Sequence, residues 1–306
     1  MKIIVTGGAG FIASHVVDAY LKAGHKVVVI DSLPKGSRRN VNPRAKFYKA
    51  DIRDRAAIAR IFKRERPEIV NHHAALAEVA KSVIDPMPTF EVNVIGTANV
   101  LHSFGTYGSG KHKKFIFSST GGAMYGNPKQ VPVNEKRPTM TLSPYGLSKQ
   151  LGEETIKFYA RDFGFDYFIF RYANVYGPRQ NPKGEAGVVA IFGATMRSGK
   201  QPTIFGDGTK ARDYVYVGDI ARANVAALRR GKNDVVNLGV GKLVTDREIF
   251  DAVAREVGFT KEPIYAPYRK GEIYRVSLDA HKAKKILGWQ PKMQLKEGVK
   301  KALRPL

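Results

Sequence analysis

The first 172 residues of the chain alternate short apolar runs with longer amphipathic segments. The short runs are rich in Val, Ile and Phe and predict strands, whereas the longer segments carry apolar residues at helical spacing. The predicted strands are 2–6, 27–31, 46–49, 68–71, 113–118 and 166–171, and the predicted helices lie near 11–23, 54–65, 89–106 and 145–163. This alternation predicts an α/β fold with a doubly wound parallel sheet, whose ligands bind beyond the carboxyl ends of the strands.

After residue 171 the pattern loosens into loops that contain glycine and proline. Short strands are predicted at 203–205, 214–217, 235–238 and 263–266, and helices near 218–230, 246–257, 279–287 and 295–303. We interpret this part as a smaller lobe that is interleaved with the first domain. The first domain comprises 1–172, with 214–240 returning to it, and the lobe comprises 173–213 and 241–306. Because no linker or internal repeat separates them, we expect one rigid body around a cleft.

The composition is that of an ordinary globular protein. With 306 residues, of which 43% are hydrophobic, the chain can bury a full core. Its first residues form a strand-like run rather than a signal peptide, and no apolar stretch reaches the ~20 residues of a membrane-spanning helix. We therefore expect a cytoplasmic protein without a membrane partner. The absence of cysteine excludes disulfides and thiolate chemistry, and it would suit a protein that works at high temperature.

The net charge of +24 is the most unusual feature of the composition. It suggests a nucleic-acid-binding protein, but the basic residues are spread along the whole chain and no recognisable nucleic-acid-binding motif accompanies them. We therefore interpret the charge as solvated surface and predict no nucleic-acid partner. Such a surface would still attract small anions, among them dinucleotides and sugar nucleotides.

The first predicted strand runs directly into the turn Gly7-Gly8-Ala9-Gly10, and a predicted helix follows. Gly7 and Gly10 permit a tight turn and let a pyrophosphate approach the helix start, where Phe11 and Ile12 stand. Asp31 ends the second strand, where a carboxylate would accept hydrogen bonds from a ribose and repel a 2′-phosphate. The pattern therefore predicts a Rossmann-type domain that binds NAD rather than NADP. Three nearby cations weaken that preference, namely Lys35, Arg38 and Arg39.

The loops after the third and fourth strands carry two further candidates. Asp51 and Ile52 could contact an adenine ring, although an N-cap for the helix that starts near Asp54 is an equal alternative. His72 and His73 would suggest a metal, but adjacent residues of an extended chain point in opposite directions and no nearby ligand completes a set. We therefore predict no metal site.

Tyr145 and Lys149 are candidates for acid–base chemistry because they are four residues apart at the predicted start of a helix. Ser143 is a plausible N-cap and Pro144 suits the first helical position, so the two side chains share one helix face. A free tyrosine has a pKa near ~10, and the positive charge of Lys149 and of the helix start would lower it toward neutrality. Thr120, or less favourably Ser119, would hydrogen-bond the same substrate oxygen from the end of a different strand.

Several segments in this order are typical of the extended short-chain dehydrogenase/reductases, and most similar to those of the UDP-galactose 4-epimerases within that family. They are Thr6–His15, His72–Ala75, Asn93–Thr97, Ser118–Gly126, Tyr145–Lys149, Arg171–Pro178, Gly206–Val217 and Arg269–Glu272. The resemblance implies that NAD also lies along Ala74, Ala75, Asn93, Ser118, Tyr145, Lys149 and Tyr172. It further implies a UDP-sugar held by Thr120, Tyr145, Asn174, Val188, Arg212 and Arg269, with Val276 limiting the bulk at C2 of the sugar.

The resemblance also narrows the reaction. Dehydratases and decarboxylases of the family carry acidic residues after the Ser/Thr of the fifth strand, where this chain has Gly121-Gly122-Ala123. The implied reaction is therefore oxidation at the sugar C4 by tightly bound NAD, followed by return of the hydride to the opposite face. Epimerisation of UDP-N-acetylglucosamine or UDP-glucuronate, another sugar-nucleotide dehydratase or reductase, and a basic nucleic-acid-binding protein on the same fold are the alternatives.

The helices near 89–106 and 145–163 carry more apolar residues than one buried stripe requires, among them Leu101, Leu151, Ile156 and Phe158. Relatives in the family dimerise through the corresponding helices, so the resemblance implies a homodimer.

Overall fold

The computed structural model describes residues 1–183, 187–269 and 272–304. Its strands are β1 (Lys2–Thr6), β2 (Lys26–Asp31), β3 (Lys46–Lys49), β4 (Ile69–His72), β5 (Lys114–Thr120), β6 (Asp166–Tyr172), β7 (Asn174–Tyr176), β8 (Thr203–Phe205), β9 (Ala211–Arg212), β10 (Tyr214–Tyr216), β11 (Asp234–Leu238), β12 (Val244–Thr245), β13 (Ile264–Ala266) and β14 (Arg275–Val276). Its α-helices are α1 (Phe11–Lys22), α2 (Arg55–Glu65), α3 (Val79–Ile84), α4 (Met87–Phe90), α5 (Thr97–Tyr107), α6 (Pro144–Phe163), α7 (Val188–Arg197), α8 (Val217–Ala227), α9 (Asp246–Val257), α10 (His281–Leu287) and α11 (Leu295–Ala302).

Seven strands form the central sheet in the order β11-β6-β5-β4-β1-β2-β3, and every neighbouring pair in it is parallel. The strand order reverses between β1 and β4, so the predicted α/β fold with a doubly wound sheet is confirmed. At such a reversal the loops leave the carboxyl ends of adjacent strands in opposite directions and open a crevice. The crevice positions the candidate site.

The sheet separates two hydrophobic cores, because alternate residues of each strand point to opposite faces. Along β1, Ile3 and Val5 pack on the face covered by α1 and α8, whereas Ile4 packs on the face covered by α2, α5 and α6. All three side chains are fully buried. A strand that is covered on both sides has no polar face, which explains the continuous apolar runs in the sequence.

The smaller lobe has its own core, in which α7, α9 and α11 pack together through Phe192, Ile249, Val253 and Leu303. β11 returns to the central sheet beside β6, whereas β10 pairs with β7 outside that sheet. The domain boundaries themselves remain a prediction. Within the described residues no helix is long and apolar enough to cross a membrane.

The secondary structure differs from the sequence-based expectation in several short strands and in three helical regions. The single helix predicted near 89–106 consists of α4, a π-helical turn over Glu91–Gly96 and α5. α3 and α7 were not predicted, because α3 is only six residues long and α7 contains the β-branched pair Val188-Val189 and a glycine. Packing of α7 against α9 outweighs its weak helix propensity.

Candidate active site

A cleft of about 920 Å³ extends from the glycine turn to the smaller lobe. It follows the carboxyl ends of β1, β2, β5 and β6 and continues to α7 and β9. Most of the predicted site residues line it: Gly7, Gly10, Phe11, Ile12, Asp31, Asp51, Ile52, Ala74, Ala75, Ser118, Ser119, Thr120, Tyr145, Lys149, Tyr172, Asn174, Val188, Arg212 and Arg269. The cleft therefore brings both predicted halves of the site together.

The glycine turn is shaped for a ligand that approaches the backbone. Gly7 has φ +70°, and a Cβ there would lie 2.7 Å from the amide nitrogen of Ala74, so another residue would clash as well as being strained. Gly10 is the N-cap of α1 and supplies no side chain to bond the first amides of that helix. These amides line the cleft and form an anion-binding end for a pyrophosphate.

Asp31 is held in a fixed orientation at the end of β2. Its Oδ2 accepts a hydrogen bond from the Ala9 amide at 3.0 Å, and its Oδ1 accepts one from the Leu33 amide at 2.7 Å. Two of the three nearby cations that weakened the predicted preference for NAD interact with other side chains. Lys35 is paired with Glu78, and the Arg38 guanidinium lies 4.7 Å from the Phe47 ring centroid. This arrangement favours a ribose hydroxyl over a 2′-phosphate at Asp31.

The loop after β3 resolves one open alternative. Asp54 is the N-cap of α2, with its Oδ1 accepting a hydrogen bond from the Ala57 amide at 2.9 Å. Asp51 instead forms a salt bridge with Arg53 at 2.8 Å, which lowers the pKa of Asp51. Asp51 and Ile52 both line the cleft, so they remain available for an adenine ring.

The catalytic candidates meet at the start of α6. Ser143 caps this helix, with its Oγ accepting a hydrogen bond from the Gly146 amide at 3.1 Å, and Pro144 is the first helical residue, as predicted. The Tyr145 phenol lies near the Thr120 side chain, and the interaction between them lowers the pKa of the phenol. Lys149 donates from Nζ to the Ser118 carbonyl at 2.8 Å. The phenol is therefore held between α6 and the end of β5.

The pKa values differ from the sequence-based expectation. Burial raises the pKa of Tyr145 to about 12, although the interaction with Thr120 opposes this change. Burial also lowers the pKa of Lys149 to about 7. The expectation that Lys149 and the helix start lower the tyrosine pKa toward neutrality is therefore wrong for the polypeptide by itself, because desolvation of the phenolate is the largest effect on that pKa.

The two hydroxyls at the end of β5 have different partners. Ser119 donates from Oγ to Glu153 Oε1 at 2.6 Å, inside a buried cluster that also contains Arg171. Thr120 is the hydroxyl that contacts Tyr145. The geometry therefore favours Thr120 over Ser119 as the group that would hold a substrate oxygen.

Asn93 does not line the cleft, in contrast to what the resemblance implied. Its Oδ1 accepts a hydrogen bond from the Leu76 amide at 2.8 Å, and its Nδ2 donates to the Leu76 carbonyl at 3.0 Å and to Ser148 Oγ at 2.9 Å. The side chain thus links the loop that carries Ala74 and Ala75 to α6. Its effect on a cofactor would be indirect.

The lobe end of the cleft is cationic. Arg212 donates from Nη1 to the Tyr274 carbonyl at 2.8 Å, and the Arg269 guanidinium lies 3.5 Å from the Phe205 ring centroid. Lys210, which the sequence analysis did not single out, donates to Glu272 at 2.7 Å. It also lies 3.2 Å from Asp246 Oδ2. Planar guanidinium groups beside an ammonium suit the oxygens of a diphosphate.

The structure contradicts the expectation for Val276 and describes only part of the Arg269–Glu272 motif. Val276 is 2% exposed, belongs to the core and does not line the cleft. In the β14–β9 pairing it is directly opposite Arg212, so the two side chains leave that sheet on the same face, and the Val276 side chain is buried beside the arginine. Of the Arg269–Glu272 motif, residues 270 and 271 lie outside the described part of the chain.

His72 and His73 have roles that do not involve a metal. Both ring nitrogens of His72 pair with hydroxyls, Nδ1 with Thr6 Oγ1 at 2.7 Å and Nε2 with Thr97 Oγ1 at 2.9 Å. His73 Nε2 pairs with the Tyr172 hydroxyl at 3.3 Å. Among residues 1–183, 187–269 and 272–304, no three His, Asp or Glu side chains form a group that could hold a metal ion.

Comparisons with known proteins agree with this geometry. The model of the NAD dependent epimerase/dehydratase family matches residues 3–239. A putative UDP-glucose 4-epimerase of Methanocaldococcus jannaschii is 48% identical over 301 residues, which are 98% of this chain and 97% of that protein. The solved UDP-glucose 4-epimerase of Thermotoga maritima with UDP-glucose has a TM-score of 0.96 at 48% identity and covers 99% of this chain and 97% of its own. The Thermus thermophilus UDP-glucose 4-epimerase in complex with NAD has a TM-score of 0.93 at 41% identity, with 99% and 98% coverage.

Proposed function

The chain belongs to the NAD-dependent epimerase/dehydratase family, and on that premise we propose that it is a UDP-glucose 4-epimerase, which interconverts UDP-galactose and UDP-glucose. It is an isomerase that uses NAD. The observation that carries the proposal is the contact between Tyr145 and Thr120 on the cleft wall. That contact lies between a dinucleotide turn on one side and a cluster of cations on the other.

The residues of the first domain fit NAD in shape and in chemistry. The glycine turn leaves room for backbone approach, the amides of α1 face the cleft, and Asp31 offers a fixed acceptor for a ribose. We assign the pyrophosphate to Gly7–Ile12, the adenosine ribose to Asp31 and the adenine to Asp51 and Ile52. When bound, oxidised NAD supplies a positively charged ring that accepts the hydride of the sugar C4 and returns it.

Tyr145 is the acid–base group in this proposal. It takes the proton of the sugar 4-hydroxyl as C4 is oxidised and gives the proton back when C4 is reduced, while Thr120 holds the same oxygen. Because the polypeptide alone leaves the pKa of Tyr145 at about 12, nearby positive charge must lower it for efficient proton transfer near neutrality. Lys149 would supply such a charge.

The substrate is held through its diphosphate in this proposal. Arg212, Arg269 and Lys210 would bind the phosphate oxygens, and Asn174 would face the sugar. A tether of this kind lets the 4-keto sugar turn within the cleft and present its other face while the nucleotide stays bound. The loop after Thr120 carries Gly121 and Gly122, so no carboxylate stands there to protonate a leaving group. This favours epimerisation over loss of water.

We also propose a homodimer formed through α3 to α6. The structure buries Leu101 and Ile156 completely, so these two do not contribute to an interface. It leaves other apolar side chains of this region largely exposed: Val83, Ile84, Met87, Ile95, Leu147, Leu151 and Phe158. Exposed apolar surface of this extent is typical of a protein–protein interface.

The double variant Leu151→Lys/Phe158→Lys should be monomeric by light scattering, because it places two charges in the proposed interface. A wild-type chain that is already monomeric would contradict the proposal.

The direct test is to incubate the purified protein separately with UDP-galactose, UDP-N-acetylgalactosamine and UDP-galacturonate, without added cofactor. We expect UDP-galactose to be converted to UDP-glucose, because the cofactor is regenerated in each cycle and stays bound. Preferred turnover of either other sugar would identify one of the alternative epimerases. Loss of water or consumption of added NADPH would instead indicate a dehydratase or a reductase. Absence of turnover together with tight, salt-dependent binding to nucleic acid would overturn the enzymatic proposal.

The cytoplasmic location of the protein stays a prediction, which cell fractionation would test.

A further inference from the structure

Glu153 extends the series that Tyr145 and Lys149 begin on α6. The three residues follow one another at intervals of four, so they lie on one face of the helix. Glu153 is only 1% exposed. A carboxylate buried to this extent is costly unless it is paired and hydrogen-bonded.

The Glu153 carboxylate is bound from two neighbouring strands. Arg171 on β6 donates to it twice, from Nε to Oε1 at 2.9 Å and from Nη2 to Oε2 at 2.6 Å. Ser119 on β5 donates to Oε1 at 2.6 Å. Arg171 also donates from Nη1 to the Tyr125 hydroxyl at 2.8 Å, which in turn donates to Asn237 at 2.9 Å. The network joins α6 to the strand that ends in Thr120.

The charged groups around Lys149 show why the Glu153 carboxylate is needed in this buried region. Within the described residues, β4 presents His72 and His73, both neutral because burial lowers their pKa values. β5 presents the Ser118 carbonyl, and β6 presents Arg171 and the hydroxyl of Tyr172. Besides Lys149 and Glu153, α6 presents the Tyr145 phenol. Glu153 is therefore the buried anion that offsets two buried cations, and removing it would leave both uncompensated.

We propose that Glu153 is a positioning residue of the catalytic site: its carboxylate keeps the Lys149 ammonium charged and fixes the end of β5 that carries Thr120. The inference rests on the proposed function, since it assigns a role beside Tyr145. It also explains the short Ser119–Glu153 hydrogen bond, which takes Ser119 away from the substrate. Arg171 acts through Glu153 and does not contact the reacting atoms.

The electrostatics of Lys149 support this role. Burial lowers the pKa of Lys149 to about 7, and the negative charge of Glu153 opposes that change. An ammonium that titrates near neutrality is sensitive to the loss of one nearby charge. At an effective dielectric constant of about 20, a unit charge roughly 6–10 Å from an ionisable group shifts the pKa of that group by about one to two units.

The test compares Glu153→Gln with wild type in two pH profiles. In kcat/KM for UDP-galactose, activity should be lost as pH rises through the pKa of Lys149. In the variant this alkaline limb should move to lower pH by about one to two units. The second profile is labelling of Lys149 by acetic anhydride, read by mass spectrometry, which requires the neutral amine and should move by the same amount. Because labelling does not depend on turnover, it tests the inference even if the proposed reaction is wrong.

Two matched variants separate charge from structure. Glu153→Asp keeps the charge and should restore most of the wild-type profile. Tyr125→Phe removes a hydrogen bond from the same network without removing a charge, so both profiles should stay at their wild-type positions. If Glu153→Gln does not fold, Glu153→Gln/Arg171→Met removes the unpaired guanidinium as well. It should still show an acid shift, but a smaller one, because loss of the Arg171 charge raises the pKa of Lys149 and opposes the change. A folded Glu153→Gln or double variant with unshifted profiles would overturn the proposal, and so would an equal shift in Tyr125→Phe.

Discussion

The two ends of the cleft differ in the surroundings of their ionisable side chains. At the sheet end, Tyr145 and Lys149 are desolvated, and burial moves their pKa values to about 12 and about 7. At the lobe end, burial also lowers the pKa of Arg212, but Lys210 is paired with the carboxylates of Asp246 and Glu272, and Arg269 is exposed. The comparison teaches that one cleft separates proton transfer, which needs shifted pKa values, from anion binding, which needs positive charge that a ligand can reach.

The difference follows from the elements that build each end. The sheet end is formed where buried parallel strands meet the start of a long helix, so polar groups there are surrounded by apolar side chains. The lobe end is formed by β8, β9 and β14, which belong to small sheets of two or three strands. The lobe end includes an exposed cation, Arg269, whereas Lys149 at the sheet end is buried.

The largest expected effect is at the sheet end. Tyr145→Phe removes the proton-transferring hydroxyl and keeps the ring, so kcat should fall by about 10²- to 10⁴-fold. The NAD content per chain, measured after denaturation, should stay close to wild type because the ring still packs at the start of α6. Tyr107→Phe is a matched control, since Tyr107 and Lys111 share the four-residue spacing, but Tyr107 is the last residue of α5 and Lys111 lies in the turn after it. A fully active Tyr145→Phe variant would remove the tyrosine from the mechanism.

The next effect is at the lobe end and should have a different kinetic form. Arg212→Met removes a charged donor to the diphosphate, a loss of about 1.5–3 kcal/mol, which is roughly tenfold to a hundredfold in affinity. The loss should be in KM for the UDP-sugar, with kcat changed little, because the reacting atoms are at the other end. Arg255→Met on the exposed face of α9 is the control. A loss confined to kcat would contradict the separation of the two ends.

A smaller effect should be visible in the pH dependence of stability. Burial lowers the pKa of His72 well below 6.5, so the folded protein keeps this ring neutral while the unfolded chain takes up a proton. Stability from this residue is complete above the unfolded pKa and is lost as pH falls below it, by about 1.4 kcal/mol per pH unit. Urea titrations at pH 7.5, 6 and 5 would measure the slope. His72→Asn should reduce this slope by the contribution of one histidine, about 1.4 kcal/mol per pH unit.

The same two ends differ in how well the sequence predicts them. The glycine turn, the Asp31 position and the cap of α6 rest on local rules of turn geometry and capping, and the structure contains all three. The packing of Asn93 and Val276, the partner of Ser119 and the role of Glu153 depend on contacts between residues far apart in the chain. A pattern of apolar and polar positions carries no information about such contacts. Desolvation of Tyr145 is a property of the folded cleft, so its pKa could not be predicted from spacing.

The smallest expected effect tests the position where resemblance and structure disagree. Val276 packs in the core next to Arg212, so Val276→Ala should lower the free energy of unfolding by about 2 kcal/mol, at ~0.8 kcal/mol for each buried methylene lost. The ratio of kcat/KM for UDP-galactose and UDP-N-acetylgalactosamine should change less than about twofold, since the side chain does not line the cleft. Val188→Ala, at a position that does line it, should change the ratio more. A severalfold gain for the N-acetylated sugar in Val276→Ala would show instead that substrate binding moves β14 toward the ligand, and that residue 276 acts at the lobe end after all.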